Sequence, residues 1–414
     1  MSKLRIENLT KIFGENEKEA FQLSQQGKKK EEVLEATGAT VGVNQANFSV
    51  NEGEIFVIMG LSGSGKSTLV RMLNRLIEPT DGSIYIDEEN ISVMNKKDLR
   101  DVRRKKMSMV FQNFGLFPKR TILENTEYGL EIQGIGKKKR QAQAEKALDN
   151  ANLLAYKDQY PNQLSGGMQQ RVGLARALAN DPDILLMDEA FSALDPLIRR
   201  DMQDELIEMQ KEMGKTIIFI THDLNESLRL GDRIAIMKDG EVVQVGTGEE
   251  ILANPADDYV ARFVEDIDRT KVYTAEHIME DPAAVTAITG KPTNVLETMA
   301  NKNMSNLLVV DEEQRLVGYV LRDEVEALAK ADAKNISTIV HSDITEVESG
   351  LFIDDLFDLV HESKTPLVIT DDEDEIEGVI VRNNVIGAMT KETEYDVIDS
   401  STDEETLKED GNNE

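Results

Sequence analysis

The sequence contains no cysteine, and no apolar run in it approaches the length of a membrane-spanning helix. The first absence excludes a disulfide framework and catalysis by a thiol. Crossing a bilayer takes about twenty apolar residues, so the second absence predicts a chain without membrane spans. The Met-Ser-Lys-Leu-Arg start also lacks the apolar segment of a secretory signal. We therefore expect a soluble, cytoplasmic protein.

Basic charge is scarce as well, because 47 lysines and arginines stand against 78 aspartates and glutamates. The formal net charge of −31 argues against nonspecific binding of the whole molecule to nucleic acid or to an anionic membrane. Residues 391–414 are rich in carboxylates and almost free of apolar side chains, which predicts a disordered acidic tail.

A glycine-rich segment, Gly-Leu-Ser-Gly-Ser-Gly-Lys-Ser-Thr at residues 60–68, directly follows the apolar run Ile55–Met59. This order is typical of a phosphate loop between a strand and a helix. Its backbone N–H groups can surround the β- and γ-phosphates, while Lys66 reaches their oxygens and Ser67 offers a hydroxyl to Mg²⁺. The sequence predicts ATP binding and hydrolysis. The loop residues predicted to bind ATP are Gly60, Ser62, Gly63, Ser64, Gly65, Lys66, Ser67 and Thr68.

Two adjacent carboxylates end a second apolar strand, Ile184–Met187. Such a strand delivers Asp188 to the phosphate end of the sheet, where it can hold the Mg²⁺ shell. Neighbouring side chains on a strand point to different sides, so Glu189 can instead orient and deprotonate the attacking water. Considered alone, Asp188 and Glu189 are equally well explained as two solvated carboxylates at the end of a strand.

Alternating strands and amphipathic helices predict an α/β class for the first part of the chain. An amphipathic polar insertion, Ala20 to Ala39, interrupts the connection between the first two strands. The predicted strands are Leu4–Asn8, Phe48–Val50, Ile55–Met59, Ile84–Ile86, Met107–Phe111, Ile184–Met187, Thr216–Thr221, Arg233–Lys238 and Glu241–Val245.

Together with the segment Leu164-Ser-Gly-Gly-Met-Gln-Gln-Arg171, these motifs resemble the ATP-binding subunits of ABC transporters. The resemblance implies an ABC-type P-loop ATPase domain at 1–267, with an antiparallel β subdomain and a helical subdomain. It also implies a head-to-tail homodimer in which one chain's Leu164–Arg171 segment closes over the partner's ATP. The resemblance implies catalytic roles for Glu189, His222 and Gln112, and contact with Mg²⁺ for Ser67, Gln112 and Asp188. It implies that Phe13 stacks on adenine. The residues that it implies contact ATP across the dimer are Ser165, Gly166, Gly167, Gln169 and Asp195.

Three features each leave two interpretations open. Phe13 is as well explained by a core or surface aromatic as by an adenine platform. The aromatic loop from Phe111 to Glu131 favours docking of a permease over packing among its own side chains. The basic clusters Lys96–Lys106 and Lys137–Arg140 are either solvated helix faces or sites for anionic lipid headgroups.

The last third of the chain repeats itself with an offset of sixty residues, so that Gly318 falls on Gly378 and Arg322 on Arg382. The repeat resembles a tandem α/β CBS pair, at 274–333 and 334–390. Leu321 and Val381 replace the small hydroxyl residue of the usual ligand motif, which argues against ordinary AMP or ATP binding. Ile380 and Arg382 are the candidate residues for a regulatory nucleotide, and a dimerising module without ligand is the alternative.

The whole arrangement resembles the ATP-binding subunits of glycine betaine importers. It implies ATP and Mg²⁺ as cofactors, cyclic di-AMP or ionic strength as regulators, and a transmembrane permease carrying or recruiting a substrate-binding domain. It further implies a peripheral location on the cytoplasmic face of the membrane and no nucleic acid partner. An importer of another solute with the CBS pair as a scaffold is one rival, and a soluble non-transport ABC ATPase is the other.

Overall fold

A computed structural model describes residues 2–112, 114–265, 267–363, 365–371 and 374–389. The chain divides into two compact units, residues 1–267 and 268–414. The acidic segment 391–414 lies outside the described residues. No helix among the described residues has the length and apolar character to cross a membrane.

The first unit begins with strand, helix, helix and strand, and it then alternates helices with strands. Its strands are β1 (Ser2–Phe13), β2 (Thr40–Asn51), β3 (Ile55–Met59), β4 (Asp81–Ile86), β5 (Glu89–Asn90), β6 (Met107–Phe111), β7 (Ile184–Asp188), β8 (Thr216–Thr221), β9 (Arg233–Lys238) and β10 (Glu241–Gly246). Its helices are α1 (Glu17–Gln25), α2 (Lys30–Thr37), α3 (Lys66–Leu73), α4 (Lys96–Lys105), α5 (Ile122–Thr126), α6 (Tyr128–Ile132), α7 (Lys137–Asn150), α8 (Gly166–Leu178), α9 (Pro196–Met213), α10 (Leu224–Leu230), α11 (Gly248–Ala253) and α12 (Asp258–Val264).

The central sheet has the strand order β10-β9-β3-β8-β7-β6, and only β10 runs antiparallel to its neighbour. Every residue of β3, β7 and β8 is buried, which explains their uninterrupted apolar sequences. Because parallel strands end at the same edge, the loops that follow β3, β6, β7 and β8 converge there. These loops carry most of the predicted catalytic residues.

A second sheet is antiparallel and has the strand order β2-β1-β4-β5. Its apolar face shares a buried core with the central sheet. The largest cluster of buried side chains joins Leu4 and Phe48 of this sheet to Phe56 and Ile218 of the central sheet. A separate core forms among α5, α7 and α8, around Ile122, Leu148 and Val172. The first unit therefore combines a central α/β layer with an antiparallel layer and a helical group.

The second unit contains two copies of one strand pair. Its strands are β11 (Val285–Ala287), β12 (Asn306–Val310), β13 (Leu316–Leu321), β14 (Leu367–Thr370) and β15 (Ile376–Ile380), and its helices are α13 (Ala275–Ile278), α14 (Pro292–Asn301), α15 (Arg322–Lys330), α16 (Ile353–Glu362) and α17 (Arg382–Met389). Strands β12 and β13 pair antiparallel, as do β14 and β15. Leu308 and Tyr319 of the first pair share one buried cluster with Val368 and Val379 of the second. The sixty-residue offset thus relates two sheets that face each other.

Candidate functional site

The loop between β3 and α3 has the backbone shape that its glycines permit. Gly60, Gly63 and Gly65 have φ angles of 148°, 82° and 103°. A Cβ atom on Gly60 would lie 2.2 Å from the Met237 carbonyl oxygen, and one on Gly65 would lie 2.4 Å from that of Gly42. Side chains would therefore both strain this backbone and collide with the strands behind it.

Lys66 is buried at the start of α3, where its Nζ donates hydrogen bonds to the carbonyls of Gly60 (2.7 Å) and Leu61 (3.0 Å). Burial lowers the pKa of Lys66, while Glu189 and Asp188 act against that shift. The Ser64 hydroxyl is buried without a hydrogen-bond partner among the described residues. A buried cation and an unpaired hydroxyl inside a glycine loop fit a bound triphosphate. Of the other predicted loop residues, Ser62 is exposed and Thr68 is half-buried.

Ser67 and Asp188 meet behind this loop, although they are far apart in the chain. The Ser67 hydroxyl donates to Asp188 Oδ1 at 3.1 Å, and Arg71 Nη2 lies 3.3 Å from Asp188 Oδ2. Asp188 is 5% exposed. A hydroxyl beside a single carboxylate fits Mg²⁺, which takes few protein ligands and completes its shell with phosphate oxygens and water.

The predicted catalytic residues Gln112, Glu189 and His222 come together at the ends of β6, β7 and β8. Glu189 Oε2 lies 3.3 Å from Gln112 Nε2 and 3.6 Å from His222 Nδ1. Gln112 Nε2 is also 3.3 Å from the hydroxyl of Ser192. Glu189 has a φ of 48°, which is uncommon for a non-glycine residue and costs backbone energy. Its N–H donates to the Ile220 carbonyl at 3.1 Å, and this bond holds the turn.

The segment Leu164–Arg171 forms the start of α8. Ser165 is the N-cap residue, and its hydroxyl accepts a hydrogen bond from the Met168 N–H at 3.4 Å. Ser165 and Gly166 are exposed, whereas Gly167 is buried beside Ile198. Gln169 Nε2 donates to the Leu164 carbonyl at 3.1 Å. Within the described part of the chain, no hydrogen bond joins these residues to the phosphate loop.

Two family models match the chain: ABC transporter over residues 43–192, and CBS domain over residues 275–327. The glycine betaine transport ATP-binding protein OpuAA of Bacillus subtilis is 56% identical over 95% of this chain and 94% of its own length. The glycine betaine/carnitine transport ATP-binding protein GbuA of Listeria monocytogenes is 55% identical over 94% of this chain and 98% of its own length. This chain belongs to the ATP-binding subunits of ABC transporters.

A solved structure agrees with the ATPase part of this assignment. The dimeric ATP-binding cassette MJ0796, in a post-hydrolysis state bound to ADP and Pi, matches with a TM-score of 0.50 and 35% identity. The match covers 59% of this chain and 98% of that chain. The predicted ABC fold with a C-terminal CBS part is confirmed, and so is ATP hydrolysis coupled to transport. Membership implies ATP and Mg²⁺ as cofactors, a transmembrane permease and dimerisation.

Phe13 ends β1 of this ABC ATPase and is 41% exposed. Its ring covers Gly42, where a Cβ atom would lie 2.7 Å from a ring carbon. Lys11 Nζ is 5.2 Å from the ring centroid. The exposed ring therefore lies beside the β2 residue that contacts the phosphate loop.

Arg71 and Arg199, which contact residues of the candidate site, were missed from the sequence, and so was the buried Glu226. Arg199 Nη2 donates to the carbonyls of Ser192 (3.4 Å) and Leu194 (3.2 Å), just before Asp195, which is exposed. Glu226 is buried one turn after His222, and its carboxylate accepts from Gln203 Nε2 at 2.9 Å. Arg71 follows Ser67 by one helical turn. This spacing was the only feature of the sequence that could have placed Arg71 beside Asp188 together with Ser67.

The aromatic loop after Gln112 is partly exposed. Phe111 and Phe117 are 39% and 37% exposed, and they line a cavity of about 360 Å³ together with Tyr128 and Arg176. The Arg176 guanidinium donates to the carbonyls of Gly115 (2.6 Å) and Phe114 (2.8 Å). Arg176 thus fixes the backbone of the loop, while the side chains of Phe111 and Phe117 remain partly exposed.

Some cations of the two basic clusters form hydrogen bonds or ion pairs within the chain. Arg103 donates to the Asn74 carbonyl, Lys106 pairs with Asp87 at 3.0 Å, and Arg140 lies 3.2 Å from the buried Glu127. These three cations support the fold. In the described ranges no ion pair involves the remaining cations, which are Lys96, Lys97, Arg100, Arg104, Lys105, Lys137, Lys138 and Lys139.

The candidate regulatory residues of the CBS part differ in accessibility. Ile380 is fully buried in the core of the second repeat, whereas Arg382 is exposed at the start of α17. Arg322, the counterpart of Arg382 in the first repeat, lies 3.6 Å from Glu326. Only the arginines are therefore placed to touch a ligand with their side chains.

Proposed function

We propose that this chain is the ATP-hydrolysing subunit of an importer for glycine betaine or a related quaternary-amine osmoprotectant. The contact of Glu189 with both Gln112 and His222 carries the ATPase part of the proposal. The substrate class is supported by relatives of nearly equal length whose names specify glycine betaine.

In this proposal Glu189 is the general base that takes a proton from the attacking water. A carboxylate that accepts a hydrogen bond from the Gln112 amide and lies 3.6 Å from the His222 imidazole is held in one orientation, which general-base catalysis requires. Gln112 and His222 would orient the water and the γ-phosphate, while Ser67 and Asp188 would hold Mg²⁺.

The active unit would be a head-to-tail homodimer. Ser165, Gly166, Gly167, Gln169 and Asp195 would contact the ATP held by the partner. The exposure of Ser165, Gly166 and Asp195, together with the N-cap that starts α8, supports a surface ready to receive an anion from outside the chain. Phe13 would stack on adenine in the same closed state.

The cavity at Phe111, Phe117 and Tyr128 would receive the permease, which carries or recruits a substrate-binding domain. Its partly exposed aromatics resemble the anchors of protein interfaces. The chain would then work peripherally on the cytoplasmic face of the membrane without a nucleic acid partner. The free lysines of the two basic clusters would add attraction to an anionic membrane surface.

The CBS pair would regulate transport through cyclic di-AMP or ionic strength. Arg322 and Arg382 would bind phosphate oxygens, for which a guanidinium has the right planar shape. Titration of cyclic di-AMP into the full chain should give micromolar binding that Arg382→Gln weakens and that Lys334→Gln, an exposed charge control, leaves unchanged. No binding to the unmodified chain would favour the scaffold interpretation.

Substrate-stimulated ATP hydrolysis by the complete purified transporter tests the function itself. Glycine betaine, proline betaine, carnitine and choline should be compared at equal concentration. Stimulation by at least one of them is expected, and it should disappear in Glu189→Gln. If none stimulates hydrolysis while ATP turnover is intact, the importer serves another class of solute.

A further inference from the structure

Helices α1 and α2 form a hairpin, here called the insertion hairpin (residues 16–38), whose position is fixed by its own core. Ala20 and Val33 are fully buried against Ile12 of β1 and Val41 of β2. The two ends of the hairpin are joined by the Asn16 side chain, which donates to the Thr37 carbonyl at 2.8 Å. A buried core and a closed base make the hairpin a fixed element rather than a loose loop.

This hairpin leaves the sheet beside the nucleotide site. It follows Phe13 and returns to β2 just before Gly42, the residue that contacts both the Phe13 ring and the phosphate loop at Gly65. Glu17 at the start of α1 lies 3.6 Å from Lys11 Nζ, the cation next to the Phe13 ring. The hairpin is therefore continuous with the structure that surrounds the triphosphate.

One side chain of the hairpin reaches the phosphate loop itself. Lys30 Nζ donates to the Gly63 carbonyl at 3.4 Å, which among the described residues is the only hydrogen bond between the hairpin and the loop. The same peptide group is held on its other side, because the Ser64 N–H donates to the Leu61 carbonyl at 3.2 Å. The next carbonyl, that of Ser64, accepts from the Gly240 N–H at 3.0 Å. The outer turn of the loop is thus fixed by two separate elements, β9–β10 and the hairpin.

Lys30 also lines a cavity beside the hairpin. This cavity of about 610 Å³ lies between the hairpin and the turn between β9 and β10, and its lining holds lysines and carboxylates in equal number: Lys28, Lys29, Lys30, Lys238, Glu31, Asp239, Glu241 and Asp257. The Lys30 ammonium is the group of the hairpin that contacts the phosphate loop directly.

We propose that Lys30 is a positioning residue for the phosphate loop, and that the insertion hairpin sets the affinity for MgATP through it. Loss of the ammonium would leave the Gly63 carbonyl without its partner and would loosen the outer turn before ATP binds. Because Lys30 contacts neither Glu189 nor Asp188 in the described structure, the chemical step should be little affected.

The test is the dependence of ATPase rate on MgATP concentration in the complete transporter containing full-length Lys30→Gln. We expect the KM for MgATP to rise about three- to tenfold while kcat stays within about twofold, and Lys30→Arg to restore most of the affinity. Lys18→Gln is the matched control, because Lys18 is an exposed cation of α1 that does not line the cavity.

Two results would overturn the proposal. An unchanged KM in Lys30→Gln would show that the contact does not position the loop. An equal rise in KM in Lys18→Gln would show that the net charge of the hairpin, and not the contact with Gly63, determines affinity.

Discussion

Arg199 and Asp223 form an ion pair, with 3.7 Å between Nη1 and Oδ2. Arg199 lies on α9 and also binds the carbonyls of Ser192 and Leu194, while Asp223 directly follows His222 and caps α10. The pair therefore connects the segment that ends at Asp195 to the residue next to His222, one of the predicted catalytic residues.

Arg199→Gln should lower kcat for ATP hydrolysis several-fold and leave the KM for MgATP nearly unchanged. The substitution removes the ion pair and two carbonyl contacts, none of which touches the phosphate loop. Steady-state kinetics of the complete transporter measure this effect. Arg200→Gln is the matched control, since Arg200 is the exposed neighbour on α9. A loss confined to KM would contradict the assigned role.

Glu189→Gln should preserve ATP binding and reduce hydrolysis by at least about 100-fold, the usual effect of removing a general base. An amide keeps the size of the side chain but cannot take a proton from water. A stable ATP-bound dimer should accumulate, which size-exclusion chromatography with MgATP would detect. Glu212→Gln on the exposed side of α9 is the control, and turnover near the unmodified level in Glu189→Gln would remove the base assignment.

Arg71→Gln should destabilise the nucleotide-free protein more than the MgADP-bound protein. Arg71 lies opposite the buried Asp188 carboxylate, and bound Mg²⁺ would take over that neutralising role. Arg71 is about half exposed, so the cost is limited to about 1 kcal/mol, or roughly 2–4 °C in Tm. Thermal unfolding with and without MgADP measures it. An equal shift in both states would mean that Arg71 does not substitute for the metal.

Stability should depend on pH through Glu226. Burial raises the pKa of Glu226, with Asp223 acting in the same direction and hydrogen bonds from Thr221 and Gln203 opposing it. The folded state holds this proton more tightly than the unfolded state does. The stabilisation it provides is therefore complete below the ordinary glutamate pKa of 4.5 and is lost as pH rises through the raised value.

Glu226→Gln remains neutral at every pH, so its denaturation midpoint should fall less than that of the unmodified protein as the pH rises above the ordinary glutamate pKa of 4.5. Urea unfolding at a series of pH values compares the two, with Glu212→Gln as the exposed control. Parallel pH profiles for the variant and the unmodified protein would show that Glu226 is not the titrating group.

The buried strands were the most predictable part of the fold. β3, β6, β8 and β9 begin and end at the predicted residues, because each is an apolar run bounded by loop residues. β1 was predicted to end at Asn8, but it continues to Phe13. Asn8 has a φ of 49°, and register shifts follow Ile6 and Leu9, so the alternation of buried and exposed residues is broken there.

The grouping of the predicted catalytic residues followed from the strands, whereas the positions of the residues around them did not. Glu189 and His222 directly follow buried strands, and the carboxyl ends of such strands meet at one edge of a sheet. Lys30 contacts the phosphate loop and Arg199 contacts the Ser192 carbonyl, both from helices, and these contacts depend on how the helices pack. No local pattern in the sequence encodes that packing.

Ala275 of α13 belongs to the core of the second repeat, where it packs with Ile353 and Val385. A ribosome therefore releases the first helix of the CBS pair long before the residues that cover it exist. Until the second repeat has been synthesised, α13 exposes apolar surface, and the second repeat in turn needs α13 to complete its core. A chain truncated between the repeats would keep the core of the first repeat and leave α13 uncovered.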